Sequence, residues 1–187
     1  MFTGAKPLFP AVIASDSSPK PADSHMLDPY NHWLANMIVA GATLLIVVLV
    51  VLVHYEGLNV LNQRLTRLSK TDRRHDHRRM VLYSIISVIL LHIVEIWIFG
   101  LGYHGLMQLQ NTGRVLGAHH QLLFDHVYFS AAVYTTVGFG DLSPTGPIRF
   151  MAGTEALIGF VLVGWSASFT YLEMQRYWQL QDQAGEE

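Results

Sequence analysis

Hydrophobic positions concentrate in three long stretches that polar segments separate. Each stretch is close to the roughly 20 residues that a helix needs to cross a bilayer. The first stretch has no charged residue, whereas the second contains Glu95 and the third contains Glu155. The pattern predicts an all-α membrane protein with three transmembrane helices. Their bounds are 34–53, 81–100 and 151–172.

A shorter apolar segment, Leu122 to Tyr134, lies between the second and third stretches. It is too short to span a bilayer and has the length of a re-entrant half-helix. A re-entrant backbone is tolerated only where it is buried in protein or lines a water-filled path. Pro144 and Pro147 then break the chain and return it towards the third helix. A fourth, short helix is therefore expected here.

Composition agrees with the hydrophobic pattern. The chain is 51% hydrophobic and 14% charged, whereas soluble proteins carry about 25% charged residues. The net charge of -2 gives no reason to expect a nucleic-acid partner. Without cysteine, disulfides and thiolate metal sites are excluded. Neither paired catalytic carboxylates, nor a nucleophile motif, nor a metal-ligand set is recognisable, so the chain is not expected to be an enzyme.

The distribution of charge orients the helices. Seven of the twelve Lys and Arg residues lie in 64–79, between the first two stretches. Positive-inside bias places this basic hairpin in the cytoplasm and the amino-terminal tail outside. The hairpin is also expected to attract anionic lipid headgroups. His54, near the end of the first stretch, is interpreted as an interfacial residue.

The segment 135–141 reads TTVGFGD and precedes the third stretch. An ion that leaves water needs oxygen ligands, which rings of backbone carbonyls can supply. Pointing successive carbonyls inward requires alternating backbone handedness, which glycine accepts. Gly138 and Gly140 lie where this geometry needs them. The hydroxyl of Thr136 adds an innermost oxygen ring, and Val137 and Phe139 are expected to pack outward.

These residues resemble the filter of the potassium channel pore family, which usually reads TTVGYGD. The resemblance covers about 80–175, in the order outer helix, pore helix, filter and inner helix, and is of the prokaryotic type with an extra amino-terminal helix. It implies passive conduction of K+, bound at positions 136–139, with no cofactor. The residues that match the motif one by one are Thr135, Thr136, Val137, Gly138, Phe139, Gly140 and Asp141.

The resemblance also assigns supporting roles. Thr135 and Asp141 flank the filter, and Gly159 matches the hinge glycine of the inner helix. Glu155 is hypothesised to brace the filter through Ser130 or Tyr134, since an intramembrane carboxylate is costly and usually has a role. A structural contact unrelated to conduction is the equal alternative.

One departure from the family motif leaves selectivity open. Phe139 replaces the usual tyrosine and loses a hydroxyl that bonds an aromatic residue of the pore helix, where this chain offers Tyr128 and Phe129. A potassium-selective channel is preferred. A weakly selective cation channel and a non-conducting regulatory subunit are the alternatives.

One filter per chain implies a homotetramer, because a pore needs four such loops around one axis. The expected location is the plasma membrane, of prokaryotic inner-membrane type. The segments are an external tail 1–33, an extra helix with the basic hairpin 34–79, a pore domain 80–175 and a short cytoplasmic tail 176–187.

Histidines form two further candidate groups. His92 and Glu95 share one helix face, where they form either a structural pair or a proton- or metal-sensitive pair. An external cluster suggests divalent-ion binding or pH sensing, against the simpler alternative of a solvated loop. Its members are His119, His120, Asp125 and His126.

Overall fold

The structure is a computed structural model that describes residues 29–71, 77–117 and 122–185. Four helices and two short strands follow one another along these residues. They are α1 Pro29–Thr71, α2 His77–Leu106, β1 Arg114–Leu116, α3 Leu123–Tyr134, β2 Ser143–Thr145 and α4 Ile148–Gly185.

Three of these helices are long and apolar enough to cross a membrane, which confirms the predicted all-α membrane protein. Large apolar side chains on the outer faces of all three are exposed, as expected of a surface that contacts lipid. The chain is a multi-pass membrane protein. The three candidate spans are Trp33–Arg67, Arg79–Leu106 and Ile148–Arg176.

The structure describes most of the predicted basic hairpin 64–79. Helix α1 continues to Thr71 and α2 begins at His77, so much of this segment is helical; residues 72–76 lie outside the described part. The reason is an apolar stripe at helical spacing that continues past the predicted span. Leu58, Leu61 and Leu65 of α1 pack in one cluster with Met80 and Val88 of α2. Similarly, α4 continues through 176–185, where a tail was predicted.

The two strands join the ends of the re-entrant loop. Strand β1 precedes α3, and β2 follows the 135–141 segment; they pair antiparallel, with Val115 opposite Pro144. Gly113 and Gly117 flank the paired residues with φ of 108° and 97°. A Cβ at either would overlap a backbone carbonyl oxygen, of Thr145 or Asp141. These close approaches require glycine.

The main core lies where α2, α3 and α4 meet, and it includes Phe99, Phe129 and Met151. Helix α1 contacts both α2 and α4. Its close approach to α2 is at Gly57, where an added Cβ would lie 2.7 Å from the Leu91 side chain.

Candidate functional site

The 135–141 segment is anchored to the last turn of α3 by backbone hydrogen bonds. The Thr136 N–H donates to the Val133 carbonyl at 2.9 Å, and the Gly138 N–H donates to the Ala132 carbonyl at 3.1 Å. These bonds connect the end of α3 to the 135–141 segment. The first half of the segment is therefore held by the short helix that precedes it.

Backbone handedness alternates along the segment. Thr136, Gly138 and Gly140 have φ of 58°, 55° and 82°, and the intervening Val137 and Phe139 do not have positive φ. Glycine accepts this region freely, whereas a left-handed non-glycine residue is uncommon. Two of the three positions follow from the sequence. The third, Thr136, does not, because threonine is not typical of this conformation.

An aromatic contact supports the outer half of the segment. The Tyr128 ring of α3 stacks on Phe139, with centroids 6.2 Å apart and planes within 5°. The Tyr128 hydroxyl donates to Asp141 Oδ2 at 3.0 Å, and this hydrogen bond raises the pKa of Tyr128. Phe139 has no hydroxyl that could bond to α3. The hydroxyl of Tyr128 in α3 instead donates to Asp141 in the 135–141 segment.

Glu155 of α4 is buried and joins three helices. Its Oε1 accepts a hydrogen bond from Ser130 of α3 at 2.5 Å. Its Oε2 accepts one from Tyr103 of α2 at 2.6 Å. Of the two contacts suggested from the sequence, the one to Ser130 is present. Tyr134 instead donates to a different carboxylate, Glu95.

Gly159 lies where α4 passes the end of α3. A Cβ added there would overlap the backbone carbonyl of Tyr134. Helix α4 is continuous through this position. Glycine is thus required at 159 for the close packing of α4 on α3. The resemblance to the family motif had suggested a hinge at this position and not this packing.

Glu95 is the centre of a second buried network. Its Oε1 lies 2.8 Å from His54 Nδ1 and its Oε2 lies 2.9 Å from His92 Nδ1. Tyr134, the last residue of α3, donates its hydroxyl to Oε2. Ser166 of α4 lies 3.4 Å from the other ring nitrogen of His54.

This network corrects two predictions. His54 is not interfacial: its side chain is fully buried, because α1 packs against both α2 and α4 at this level. Sequence reasoning also found no metal-ligand set, yet His54, His92 and Glu95 place their ligand atoms within 4.8 Å of one another. The available sequence signal for this donor set was His92, a histidine within an otherwise apolar run.

The proposed external histidine cluster is only partly within the described residues, since His119 and His120 lie outside them. Asp125 accepts a hydrogen bond from the Leu122 N–H at 3.2 Å and caps α3. His126 is buried with its Nδ1 3.3 Å from His104 Nδ1, and burial lowers the pKa of His126. Within the described part, these two residues therefore have structural contacts.

A family model described as an ion channel matches residues 80–175, slightly more than half of the chain. The matched range contains α3, the 135–141 segment, Glu95 and Glu155, but it does not contain α1. Comparisons with curated proteins and with solved structures gave no match.

Proposed function

Because the chain belongs to the ion channel family, we propose that it conducts K+ passively through a tetrameric pore. Backbone carbonyls of residues 136–140 replace the hydration shell of the ion. The observation that carries this proposal is the alternating handedness at Thr136, Gly138 and Gly140. Alternation turns successive peptide planes so that their carbonyls share one side, as a ring of ion ligands requires.

The exposure of the filter supports assembly around an axis. Val137 and Phe139 are 56% and 69% exposed in the single chain, although both are apolar and lie between two membrane helices. One chain supplies one wall of a pore, and four equivalent walls close it. A homotetramer covers these side chains with those of neighbouring subunits. K+ then binds at Thr136, Val137, Gly138 and Phe139.

The neighbouring residues support the filter. Thr135 and Asp141 hold its two ends, and the hydrogen bonds of Glu155 to Ser130 and Tyr103 fix the pore helix behind it. Gly159 serves as the bending point of the inner helix during gating. This role is compatible with its packing on Tyr134, because a helix that touches the pore-helix end can transmit its bend there.

The orientation follows from charge. The basic residues in 64–79 place the α1–α2 connection in the cytoplasm, close to anionic lipid headgroups. The amino terminus is then outside, and α4 ends in the cytoplasm. The pore loop enters from the outer face. The plasma membrane, of prokaryotic inner-membrane type, is the proposed location.

Reconstituted protein tests the proposal by single-channel recording in mixed K+ and Na+ solutions. Gly138→Ala is expected to abolish K+ current, because alanine resists a φ of 55°. Gly41→Ala is the matched control. Within one chain an added Cβ meets nothing within 4 Å at either position, whereas only Gly138 has a positive φ. K+ current that survives Gly138→Ala would falsify the filter assignment.

A weakly selective cation channel is the second candidate, favoured by the missing hydroxyl at Phe139. The reversal potential separates the two: a selective pore follows the K+ gradient, whereas a weakly selective pore follows the sum of both cations. The hydrogen bond from Tyr128 to Asp141 favours the selective pore, because it stiffens the same segment. Reconstituted tetramers without flux would indicate a regulatory subunit instead.

A further inference from the structure

His54, His92 and Glu95 form a buried donor set at the junction of α1 and α2. Both histidines direct Nδ1 at the carboxylate, at 2.8 and 2.9 Å. The three ligand atoms lie within 4.8 Å of one another. Tyr134 of α3 adds a phenolic oxygen that contacts both Glu95 and His92. Four oxygen and nitrogen donors from three helices therefore converge on one point.

We propose that His54, His92 and Glu95 bind a transition-metal dication of the Zn2+ class, and that Tyr134 transmits its occupancy to the filter. Two imidazoles and a carboxylate are ligands that Zn2+ uses with a fourth oxygen donor. Hard cations such as Mg2+ prefer sites made of oxygen alone, so the nitrogen donors select against them.

The geometry needs little adjustment. Bonds of about 2.0–2.1 Å in a tetrahedron separate neighbouring ligand atoms by about 3.3 Å. The two nitrogen–oxygen distances of 2.8 and 2.9 Å must lengthen by only a few tenths of an ångström. The three ligand atoms, which lie within 4.8 Å of one another, must also reach this spacing.

Charge favours a bound cation. Glu95 is fully buried within a membrane-spanning helix, where a carboxylate is costly unless it is compensated. The histidines and Tyr134 stabilise it by hydrogen bonds, and a dication would in addition neutralise it. The same donors that make the apo protein stable are thus the ligands that a metal ion requires.

The other contacts of the His54 ring are compatible with metal coordination through its Nδ1. When Nδ1 of His54 binds metal, its Nε2 carries the proton and faces Ser166 Oγ at 3.4 Å. Metal-bound histidines commonly donate their other N–H in this way, which fixes the ring orientation. The Trp165 ring lies against the same imidazole, with centroids 5.3 Å apart. The donor at His54 is therefore held in position before metal binds.

A groove gives access to the site. It has a volume of about 370 Å³, runs between α2 and α4, and includes His92 and Ser166 in its lining. The His92 side chain is 15% exposed, whereas those of His54 and Glu95 are 0% exposed. His92 is thus the ligand that an entering ion meets first, and an entry path is one requirement of a functional metal site.

The position of the site connects the extra helix to the filter. His54 belongs to α1, which lies outside the family-matched range 80–175. Tyr134 ends α3, and the next residue, Thr135, begins the filter segment. A metal ion bound to Glu95 and the histidines competes for the carboxylate oxygen that accepts the Tyr134 hydroxyl, so it changes the hydrogen bond that holds Tyr134. Occupancy and filter geometry are coupled through that one residue.

Equilibrium titration of the purified, chelator-treated full chain with Co2+ and then Zn2+ tests the site. Wild-type protein is expected to bind one ion per chain, with the visible absorption of tetrahedral Co2+. His54→Asn keeps an N–H near the Nδ1 position but is a poor ligand. It is expected to weaken binding at least about 100-fold, more than loss of an outer-shell partner does. Glu95→Gln provides a second ligand variant.

His126→Asn is the matched control, because His126 is a buried histidine paired with His104 and has no contact with Glu95. It is expected to leave the affinity unchanged. Circular dichroism and gel filtration verify that each variant folds. Absence of one-to-one binding in the wild type, or equal affinity in wild type and His54→Asn, would overturn the site.

Coupling to the filter rests on the proposed function and has its own measurement. Zn2+ is expected to change K+ flux through reconstituted wild-type protein and through His126→Asn, but not through His54→Asn. Binding without any change in flux would overturn the role of Tyr134. Wild-type protein without flux would contradict the proposed function alone, because the titration decides the metal site without conduction.

Discussion

Two buried carboxylates contact α3, and the two have different partners. Glu155 of α4 receives hydroxyls from Ser130 and Tyr103. Glu95 of α2 is hydrogen-bonded to the imidazoles of His54 and His92 and accepts the hydroxyl of Tyr134. The first carboxylate contacts the middle of α3. The second contacts its last residue, directly before the 135–141 segment.

The difference in partners indicates a difference in role. A hydroxyl can donate or accept, so the Glu155 network is satisfied whether the carboxyl is ionised or neutral. An imidazole has two distinct ring nitrogens and is a metal ligand. All partners of Glu155 lie within the family-matched range, whereas Glu95 also recruits α1 through His54. These partners are those expected of a permanent brace at Glu155 and of a regulated contact at Glu95, if the proposed function holds.

The largest expected effect is that of Glu95→Ala. It removes the acceptor shared by His54, His92 and Tyr134 and leaves buried donors unpaired. Breaking a buried charged network typically costs about 3–5 kcal/mol. Thermal unfolding of detergent-solubilised protein measures the loss, with Glu155→Ala as the matched variant. A smaller loss in Glu95→Ala than in Glu155→Ala would contradict the stated difference between the two networks.

Gly159→Ala is expected to lower stability by an intermediate amount. It acts on the Glu95 network, because Gly159 packs against Tyr134, which donates to Glu95. The new methyl group overlaps the Tyr134 carbonyl, and overpacking of this kind costs about 1–3 kcal/mol. Gly164→Ala is the control, because a Cβ there meets nothing within 4 Å. The same unfolding measurement detects the effect. Equal stability of the two variants would refute the packing role of Gly159.

The smallest effect on stability is expected for Glu155→Gln. The amide oxygen still accepts a hydroxyl hydrogen bond and the amide N–H donates to the second hydroxyl, so the loss is about 1 kcal/mol or less. Its effect on conduction is the more informative measurement. Faster inactivation or lower selectivity for K+ over Na+ would support a brace for the filter. Unchanged currents would assign Glu155 a purely structural contact.

Local features were predictable from the sequence. Apolar runs of about 20 residues are enough to define spanning helices, and all three are present in the structure. The half-length run predicts the re-entrant helix, observed as Leu123–Tyr134. Glycine alone accepts left-handed backbone freely, so Gly138 and Gly140 were identifiable. Each of these inferences depends on residues that are close together in the chain.

Contacts between distant segments were not predictable. His54 and Glu95 are 41 residues apart in the chain, and nothing in the pattern of either helix specifies the depth at which they meet. The continuation of α1 past the predicted span depends on Met80 and Val88 of another helix. The left-handed Thr136 depends on anchoring to the end of α3.

The sequence by itself determined the class of protein, the number of candidate membrane helices and the left-handed glycines of the 135–141 segment, because run length and glycine chemistry are local properties. Only the tertiary structure decided which buried groups meet. It assigned Ser130 to Glu155 and Tyr134 to Glu95, and it brought His54 of α1 to Glu95 of α2. Side-chain pairing depends on the rotation and depth of packed helices, which many weak contacts set together.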